Sequence, residues 1–297
     1  MLEHIGFIGL GRMGQRMATR LLDADLHLTV YDVASGKADD LVRHGARVAA
    51  SPREVARAAE AVLMSVTDGR AVLTALEGPD GLLAGAAPNL LLVEMSTIGV
   101  EDSRLIARAC KEAAVRYVRS PVLGTLDAAA GGTLQALLSG PRDAVDDALP
   151  LLEHLTAECR YLGPAEEGRI MKLLNNGMLG VTMAVFAEVL TVGQRAGLDA
   201  DVILDVISGG SMGGRATQGA AQIVREGTFE PRLSAALMHK DLRLLGELAS
   251  STTTPLPVTA ATQQLFAAMV AMGWGDLDRS GVVKVIERLA GMEPLRD

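Results

Sequence analysis

The 297-residue chain is long enough for about two domains, and its 28 Lys and Arg against 36 Asp and Glu give a net charge of −8. This balance argues against nucleic acids and anionic membranes as partners. Cys110 and Cys159 lie in apolar patterns without metal-ligand spacing, which favours reduced, packed side chains over a single disulfide. We find no pattern of a signal peptide, a bilayer-spanning run or a metal site, and we expect a cytoplasmic protein.

The first predicted unit is a strand, a glycine-rich turn and a helix within "HIGFIGLGRMGQRMATRLL", residues 4–22. In the pattern G-x-G-x-x-G, one glycine allows the tight turn, one lets a pyrophosphate approach the backbone, and one allows close helix–strand packing. Phosphates would lie at the positive end of the helix dipole. We therefore predict a dinucleotide site rather than a purely structural turn. The predicted cofactor-binding residues of this turn are Gly9, Leu10, Gly11, Arg12, Met13 and Gly14.

A second predicted strand ends at Tyr31-Asp32, 18 residues beyond Gly14. A carboxylate at this position accepts hydrogen bonds from the adenosine ribose hydroxyls and repels the 2′-phosphate of NADP. The alternative is that Asp32 caps the next helix. The predicted cofactor is NAD, and NADP is left open because Lys37 lies close in sequence.

Short apolar runs continue to alternate with helix-period segments up to residue 162, which predicts a mostly parallel sheet covered on both faces. The predicted strands are 5–8, 26–31, 61–65, 90–95, 116–119, 134–139 and 159–162. Ser51, with Pro52 and Glu54 after it, has capping-box spacing and marks a helix start. Met64 and Ser65 end one strand and are predicted to line the cofactor through their backbone.

The alternation stops at Gly163-Pro164, and every later pattern has a helical period. Residues 165–196 predict one long, very apolar helix. Further helices are predicted at 199–209, 212–226, 233–250, 256–272 and 279–291. The predicted fold is an α/β Rossmann-type domain over 1–163 and an all-helical domain over 164–297, joined by the long inter-domain helix.

The opening stretch "GFIGLGRMGQRMATRL" resembles the first signature of the β-hydroxyacid dehydrogenase family, which includes 3-hydroxyisobutyrate dehydrogenase and tartronate semialdehyde reductase. Four later stretches in family order are similar as well. They are "VEMSTIGV" (93–100), "SPVLGTLDAAAGGTLQALLSG" (120–140), "GRIMKLLNN" (168–176) and "HKDLRLL" (239–245). The resemblance implies hydride transfer between a nicotinamide and a small β-hydroxyacid or semialdehyde, in a homodimer or homotetramer.

The resemblance also implies roles for single residues. Thr97 would contact the nicotinamide half of the cofactor, and a Ser/Thr helix cap after the strand is a compatible alternative. Lys240 would lie near the cofactor, with a solvated surface lysine as the alternative. The implied substrate-binding residues are Ser96, Leu123, Gly124, Thr125, Lys172 and Asn176.

Lys172 is unusual independently of the resemblance, because it lies in a stretch too apolar for a surface helix. Asn176 is four residues further on and shares its helix face. A snorkelling lysine at the end of a core helix is the structural alternative. The resemblance implies that Lys172 is the general acid/base and that Asn176 orients the substrate oxygen. An ammonium group can protonate and stabilise the alkoxide that forms when a carbonyl is reduced.

One segment departs from the family pattern, because "RSPVLGT" stands where the family commonly has DAPVSGG. Leu123 replaces the serine and Thr125 the second glycine. Leucine donates no hydrogen bond and adds apolar bulk. The segment therefore predicts either a substrate with an apolar substituent, or an anionic group held through Thr125, the Gly124 N–H and nearby cations, rather than 3-hydroxyisobutyrate itself.

Two other functions are alternatives to the dehydrogenase. An imine reductase-like activity shares the architecture, but those enzymes usually lack a lysine at the position of Lys172. Leu123 leaves such a side activity open. A non-catalytic cofactor-binding module would also be expected to lose this lysine and to carry extra binding segments. The retained lysine favours the dehydrogenase.

Overall fold

A computed structural model describes residues 2–211 and 213–293 of the chain. The chain forms two compact units that divide between Lys172 and Leu173. The division falls within the long helix predicted at 165–196, whereas the predicted domain boundary lies at 163.

The first unit is an alternation of strands and helices. Its strands are β1 (His4–Ile8), β2 (His27–Tyr31), β3 (Arg47–Val48), β4 (Ala61–Met64), β5 (Leu91–Glu94), β6 (Arg116–Arg119), β7 (Val122–Leu123), β8 (Leu134–Ser139) and β9 (Thr156–Gly163). Its helices are α1 (Arg12–Leu22), α2 (Asp39–Arg43), α3 (Pro52–Arg57), α4 (Gly69–Leu76), α5 (Leu82–Gly85), α6 (Val100–Glu112), α7 (Leu126–Ala130) and α8 (Arg142–Leu152).

All nine of these strands form one sheet in the order β3-β2-β1-β4-β5-β6-β8-β7, with β9 paired to β8. The strands from β1 to β6 pair in parallel, which confirms the predicted α/β class. The strand order reverses at β1, whose neighbours are β2 and β4, and ligands of such sheets bind at the carboxyl ends of the strands beside this point. Beyond β6 the sheet turns antiparallel, because β8 runs against both β6 and β7.

The sheet is buried on both faces. Every residue of β4 is fully buried, as expected for a central parallel strand. Successive side chains of β4 point to opposite faces of the sheet. Leu63 packs in one hydrophobic cluster with residues of α1 and α8, and Val62 packs in another with residues of α3 and α6. Ser51 is the N-cap of α3, where a helix start is predicted, since its Oγ accepts from the Glu54 N–H at 3.3 Å. The predicted capping box is only half formed, because the Glu54 carboxylate accepts from the Ala50 N–H at 2.8 Å rather than from the N-cap N–H.

The second unit consists of helices. They are the continuation of α9 (Glu167–Arg195), followed by α10 (Ala200–Gly209), α11 (Arg215–Glu226), α12 (Ala235–Ser251), α13 (Pro257–Ala271) and α14 (Val282–Leu289), the last preceded by a 3₁₀ turn at Arg279–Gly281. This confirms the predicted helical domain. Helices α9 and α12 approach closely, since a Cβ at Gly177 would lie 2.2 Å from a methyl carbon of Leu245.

Helix α9 corrects one expectation. By length and composition alone it could cross a membrane, with a mean hydropathy of 1.4 over its most apolar 18 residues, whereas the sequence reading found no such run. Half of those residues are buried inside the protein. Core helices of soluble proteins pass the same test, so this single helix is weak evidence for a membrane.

Candidate active site

The glycine turn between β1 and α1 has two glycines fixed by packing and one facing open space. A Cβ at Gly9, which has φ +94°, would lie 2.2 Å from the carbonyl oxygen of Ser65. A Cβ at Gly14 would lie 2.0 Å from the carbonyl oxygen of Gly9. At Gly11 an added Cβ would meet no heavy atom of the described residues within 4 Å. This is the geometry that lets a pyrophosphate approach the backbone at the helix N-terminus.

Asp32 follows β2 and is fixed by two backbone N–H groups. The Leu10 N–H donates to Oδ2 at 2.6 Å, and the Ala34 N–H donates to Oδ1 at 2.8 Å. The next helix, α2, begins only at Asp39, so Asp32 does not cap it. Each carboxylate oxygen has a second lone pair and can accept a further hydrogen bond from a ribose hydroxyl.

The segments after β4 and β5 are joined through Ser96. The Val66 N–H donates to Ser96 Oγ at 2.8 Å, and the Ser96 N–H donates to Glu94 Oε1 at 2.6 Å. Ser96 is buried, whereas Thr97 beside it is half-buried. The side chain of Met64 is fully buried in the core, so only its backbone lies at the sheet edge. These positions adjoin the glycine turn, because the Ser65 N–H donates to Ile8 O at 2.9 Å.

The predicted substrate segment forms β7 and the turn into α7. Leu123 is half-buried and pairs with Gln135 of β8, and Gly124 has φ +144°. Thr125 is the N-cap of α7, and its Oγ1 accepts from the Ala128 N–H at 3.3 Å. A capping hydroxyl still has its own proton to donate.

Lys172 lies against this segment. Its ammonium donates to the carbonyl oxygen of Val122 at 2.8 Å, directly before Leu123. The side chain is half-buried. This hydrogen bond holds the ammonium within the first unit, at the residue before Leu123, rather than leaving it to extend into bulk water.

Asn176, one turn along α9 from Lys172, belongs to a cluster of polar side chains within the second unit. Its Nδ2 donates to Asp241 Oδ2 at 2.6 Å, and Asp241 Oδ1 lies 3.3 Å from the Lys240 ammonium. Asn176 and Asp241 are both nearly inaccessible to solvent. The structure thus connects two predicted site residues, Asn176 and Lys240, through Asp241. The sequence reading gave Asp241 no role, although a carboxylate within an apolar helix is an available signal.

A buried network of charges is the second feature that sequence reasoning missed. Arg169, in the first turn of α9, donates to the Glu94 carboxylate and to the Ser96 carbonyl oxygen. Its Nη2 also lies 3.4 Å from the hydroxyl of Tyr117. Burial alone lowers the pKa of Arg169, but Glu94 and Tyr117 more than offset this, so its pKa lies above the ordinary value. Burial raises the pKa of Tyr117 to about 12. Arg169 therefore stays charged and Tyr117 neutral.

A second ion pair adjoins this network at Tyr117, because the Arg119 guanidinium carbon lies 4.7 Å from the centre of the Tyr117 ring. Arg119 Nη2 donates to Glu166 Oε1 at 2.5 Å, and its Nε donates to Ser103 Oγ at 3.1 Å. Both charged side chains are less than a tenth exposed. Burying such a pair costs desolvation free energy. Removing one partner destabilises the protein, because the remaining charge is left buried and unpaired. The sequence signal for these ion pairs is a charged residue at the end of a strand, Glu94 in β5 and Arg119 in β6.

The residues present fit a dinucleotide. The turn offers open space at Gly11, a helix N-terminus for phosphates, and the Asp32 carboxylate for a ribose, all within the first unit. Among the described residues, no group of three or more His, Cys, Asp or Glu is placed to hold a metal ion. Cys110 and Cys159 are free thiols, and burial raises the pKa of Cys110 to about 12.

A doubly wound sheet with this glycine turn, followed by a helical domain that begins with a lysine-bearing helix, defines a nicotinamide dinucleotide-dependent oxidoreductase. Residues 4–163 match the family described as the NAD binding domain of 6-phosphogluconate dehydrogenase. Residues 167–286 match the family described as NAD-binding of NADP-dependent 3-hydroxyisobutyrate dehydrogenase. The chain belongs to the 3-hydroxyisobutyrate dehydrogenase, or β-hydroxyacid dehydrogenase, family, as its motifs predict, and is an NAD(P)-dependent enzyme.

Known members resemble this chain over nearly its whole length. The NAD-dependent L-serine dehydrogenase of Pseudomonas aeruginosa is 32% identical, over 98% of this chain and 100% of that protein. The 2-(hydroxymethyl)glutarate dehydrogenase of Eubacterium barkeri is 31% identical, over 97% and 96%. The solved structure of Mycobacterium tuberculosis 3-hydroxyisobutyrate dehydrogenase with L-serine superposes with a TM-score of 0.87 at 29% identity, over 96% of this chain and 99% of that one.

Proposed function

We propose that this enzyme transfers a hydride between NAD(H) and a small β-hydroxyacid or the corresponding semialdehyde, with Lys172 as the general acid/base. The observation that carries the proposal is the Lys172 ammonium, 2.8 Å from the Val122 carbonyl oxygen and next to the segment Leu123–Thr125. An oxygen of a substrate held by that segment would be within reach of the ammonium.

The nicotinamide, when bound, supplies or accepts the hydride. Lys172 donates a proton to the carbonyl oxygen during reduction and accepts one from the hydroxyl during oxidation. Asn176 orients the same oxygen with the amide N–H that is not donated to Asp241. Lys240, which is paired with Asp241, lies near the cofactor in this proposal.

The relatives and Leu123 support a proposed substrate class. 3-Hydroxyisobutyrate, L-serine and 2-(hydroxymethyl)glutarate, named in the three matches, are all carboxylates with a hydroxymethyl group on carbon 2. We propose a substrate of this class, other than 3-hydroxyisobutyrate itself, whose carbon-2 substituent is apolar and packs on Leu123. The Thr125 hydroxyl and the Gly124 N–H hold its carboxylate, with Ser96 as a further contact.

NAD is the proposed cofactor rather than NADP. The position of Asp32 supports this choice. Two backbone N–H groups hold its carboxylate at the end of β2, where it would repel a 2′-phosphate. Thr97 contacts the nicotinamide half in this proposal, and the backbone of Met64 and Ser65 lines the cofactor.

A homodimer or homotetramer in the cytoplasm is the proposed working form. Along α9, Met178, Val185, Val189 and Val192 are between 47% and 72% exposed and repeat at helical spacing, so they form one apolar face. A second copy of the chain would cover this face. A stable monomer at micromolar concentration in sedimentation would contradict this part of the proposal. The free thiols Cys110 and Cys159 suit a reducing compartment.

The test is a turnover assay with NADH and with NADPH, across a panel of semialdehydes derived from 2-substituted 3-hydroxypropanoates. Lys172→Ala should lower kcat by about 10²–10⁴-fold, while NADH affinity, measured by fluorescence titration, stays within about twofold. Lys111→Ala, at an exposed lysine in the last turn of α6, is the matched control. Turnover by Lys172→Ala close to that of the wild type, or loss of its NADH binding, would contradict the role given to Lys172.

A further inference from the structure

We propose that Arg169 is a positioning residue, which sets the acid/base Lys172 in register with the cofactor-binding segment Ser96–Thr97. This inference rests on the proposed function, because it concerns how Lys172, the proposed acid/base, is held in place. Its basis is the buried ion pair between Arg169 and Glu94, whose side chains are both fully buried.

Arg169 and Glu94 together hold the Ser96 peptide group from both sides. The Ser96 N–H donates to Glu94 Oε1 at 2.6 Å, and the Ser96 carbonyl oxygen accepts from Arg169 Nη1. The other guanidinium nitrogen, Nη2, donates to Glu94 Oε2. The ion pair and the peptide form one closed set of hydrogen bonds, so Arg169 cannot move without moving Ser96.

The same serine connects to the neighbouring strand end, because its Oγ accepts from the Val66 N–H at 2.8 Å. Three segments thus meet at one buried point: the residues after β4, the residues after β5, and the first turn of α9. A guanidinium group suits this junction because its planar fork donates in two directions at once. A lysine ammonium carries the same charge but does not reproduce that fork.

Arg169 transmits this placement along α9. Lys172 follows Arg169 by three residues on the same continuous helix and so lies on a neighbouring part of its surface. Fixing the Arg169 side chain therefore limits both rotation of the helix about its axis and its shift toward or away from Ser96. The position of the Lys172 ammonium is restricted in the same way. This restriction matters because a small displacement of an acid/base group lowers the rate of proton transfer.

A second buried ion pair offers a control for the Arg169 substitution. Arg119 and Glu166, which directly precedes α9, form this second pair with similar burial. Arg119 contacts Glu166, Ser103 and the ring of Tyr117, but not the Ser96 peptide. Arg119→Lys makes the same chemical change at the start of α9 but removes neither hydrogen bond of the Ser96 peptide group. A purely structural contribution of buried arginines would affect both variants alike.

The experiment compares Arg169→Lys with Arg119→Lys and measures kcat per NADH-binding site, so that a lower fraction of folded protein does not count as slower catalysis. We expect Arg169→Lys to lower kcat by about 10–10²-fold, and by at least about tenfold more than Arg119→Lys. The charge is kept, so the pH midpoint of the kcat profile stays the same while its height falls. Glu94→Gln, which weakens the ion pair from the other side, should give a loss in the same direction even if Arg169→Lys folds poorly.

Three outcomes would overturn the inference: kcat per site in Arg169→Lys within about twofold of the wild type, equal losses in the two lysine variants, or a displaced pH midpoint, which would indicate an electrostatic effect. Lys172→Ala separates this from failure of the proposed function. If Lys172→Ala is inactive and Arg169→Lys is fully active, only the positioning role is wrong. If the wild type shows no turnover, or Lys172→Ala retains it, both proposals are wrong.

Discussion

Replacing single glycines of the turn by alanine should separate cofactor binding from folding. The added methyl group at Gly14 would lie 2.0 Å from the Gly9 carbonyl oxygen and 3.2 Å from a ring carbon of Phe7. Backbone must move to relieve such an overlap, and overpacking of this kind costs about 1–3 kcal/mol. At Gly11 the same methyl group meets no described atom within 4 Å, and φ of −66° suits alanine.

Gly11→Ala should therefore fold almost normally and bind the cofactor poorly. The only folding cost is the weaker preference of an N-cap for alanine, about 0.5–1 kcal/mol. In the cofactor complex the methyl group occupies the space that a pyrophosphate needs. Loss of one charge-assisted hydrogen bond, about 1.5–3 kcal/mol, corresponds to a roughly 10–150-fold lower affinity for NADH.

The assay pairs thermal unfolding without cofactor with fluorescence titration of NADH. Gly14→Ala should melt several degrees lower, at about 2–4 °C per kcal/mol. Gly246→Ala, within α12 and also without a contact at its added Cβ, is the control that changes neither the turn nor NADH affinity. NADH affinity within twofold of wild type in Gly11→Ala would refute the assigned approach of the pyrophosphate, and a normal melting temperature in Gly14→Ala would refute the packing argument.

Three further predictions concern single side chains. Asp32→Asn should weaken NADH binding about tenfold and NADPH binding less, because the amide removes the repulsion of the 2′-phosphate. Equal losses in the two affinities would contradict this, and the control is Asp199→Asn, at a carboxylate that also accepts from a backbone N–H but lies at the start of α10. Asp241→Asn should lower kcat/KM about tenfold, because Asn176 loses a charge-assisted hydrogen bond; an unchanged kcat/KM would remove Asp241 from the site. Cys110 should resist iodoacetamide at pH 8 in the folded protein and react after denaturation, because its pKa of about 12 keeps the thiol protonated. Rapid labelling of Cys110 in the folded chain would contradict the buried position of its side chain.

The sequence predicts the features whose causes are local. The glycine turn follows from spacing within one strand-turn-helix unit, and the central strands from short, continuous apolar runs. The long helix predicted at 165–196 is observed as Glu167–Arg195, because its apolar period continues without proline or a glycine break strong enough to end it. Strands β3 and β7, with two residues each, carry no period that a sequence pattern can detect.

The missed features depend on partners far apart in the chain. Arg169 and Glu94 are 75 residues apart, and Asn176 and Asp241 are 65 apart. A charged residue read in its own segment indicates only a strand end or a solvated helix position. Its role becomes visible when folding brings the opposite charge against it in a place without water.

The hydroxyl groups of the candidate site show how one residue can serve both the fold and a ligand. Ser96 Oγ accepts from the Val66 N–H, and Thr125 Oγ1 accepts from the Ala128 N–H, so each hydroxyl is first a structural acceptor. Accepting fixes the oxygen but leaves its proton to donate. A hydroxyl oriented in this way loses little conformational freedom when it binds a substrate carboxylate. Leucine at position 123 lacks this capacity, and any hydrogen bond that the family's serine makes there must in this chain come from a neighbouring donor, for which Thr125, two residues further on at the exposed start of α7, is the proposed source.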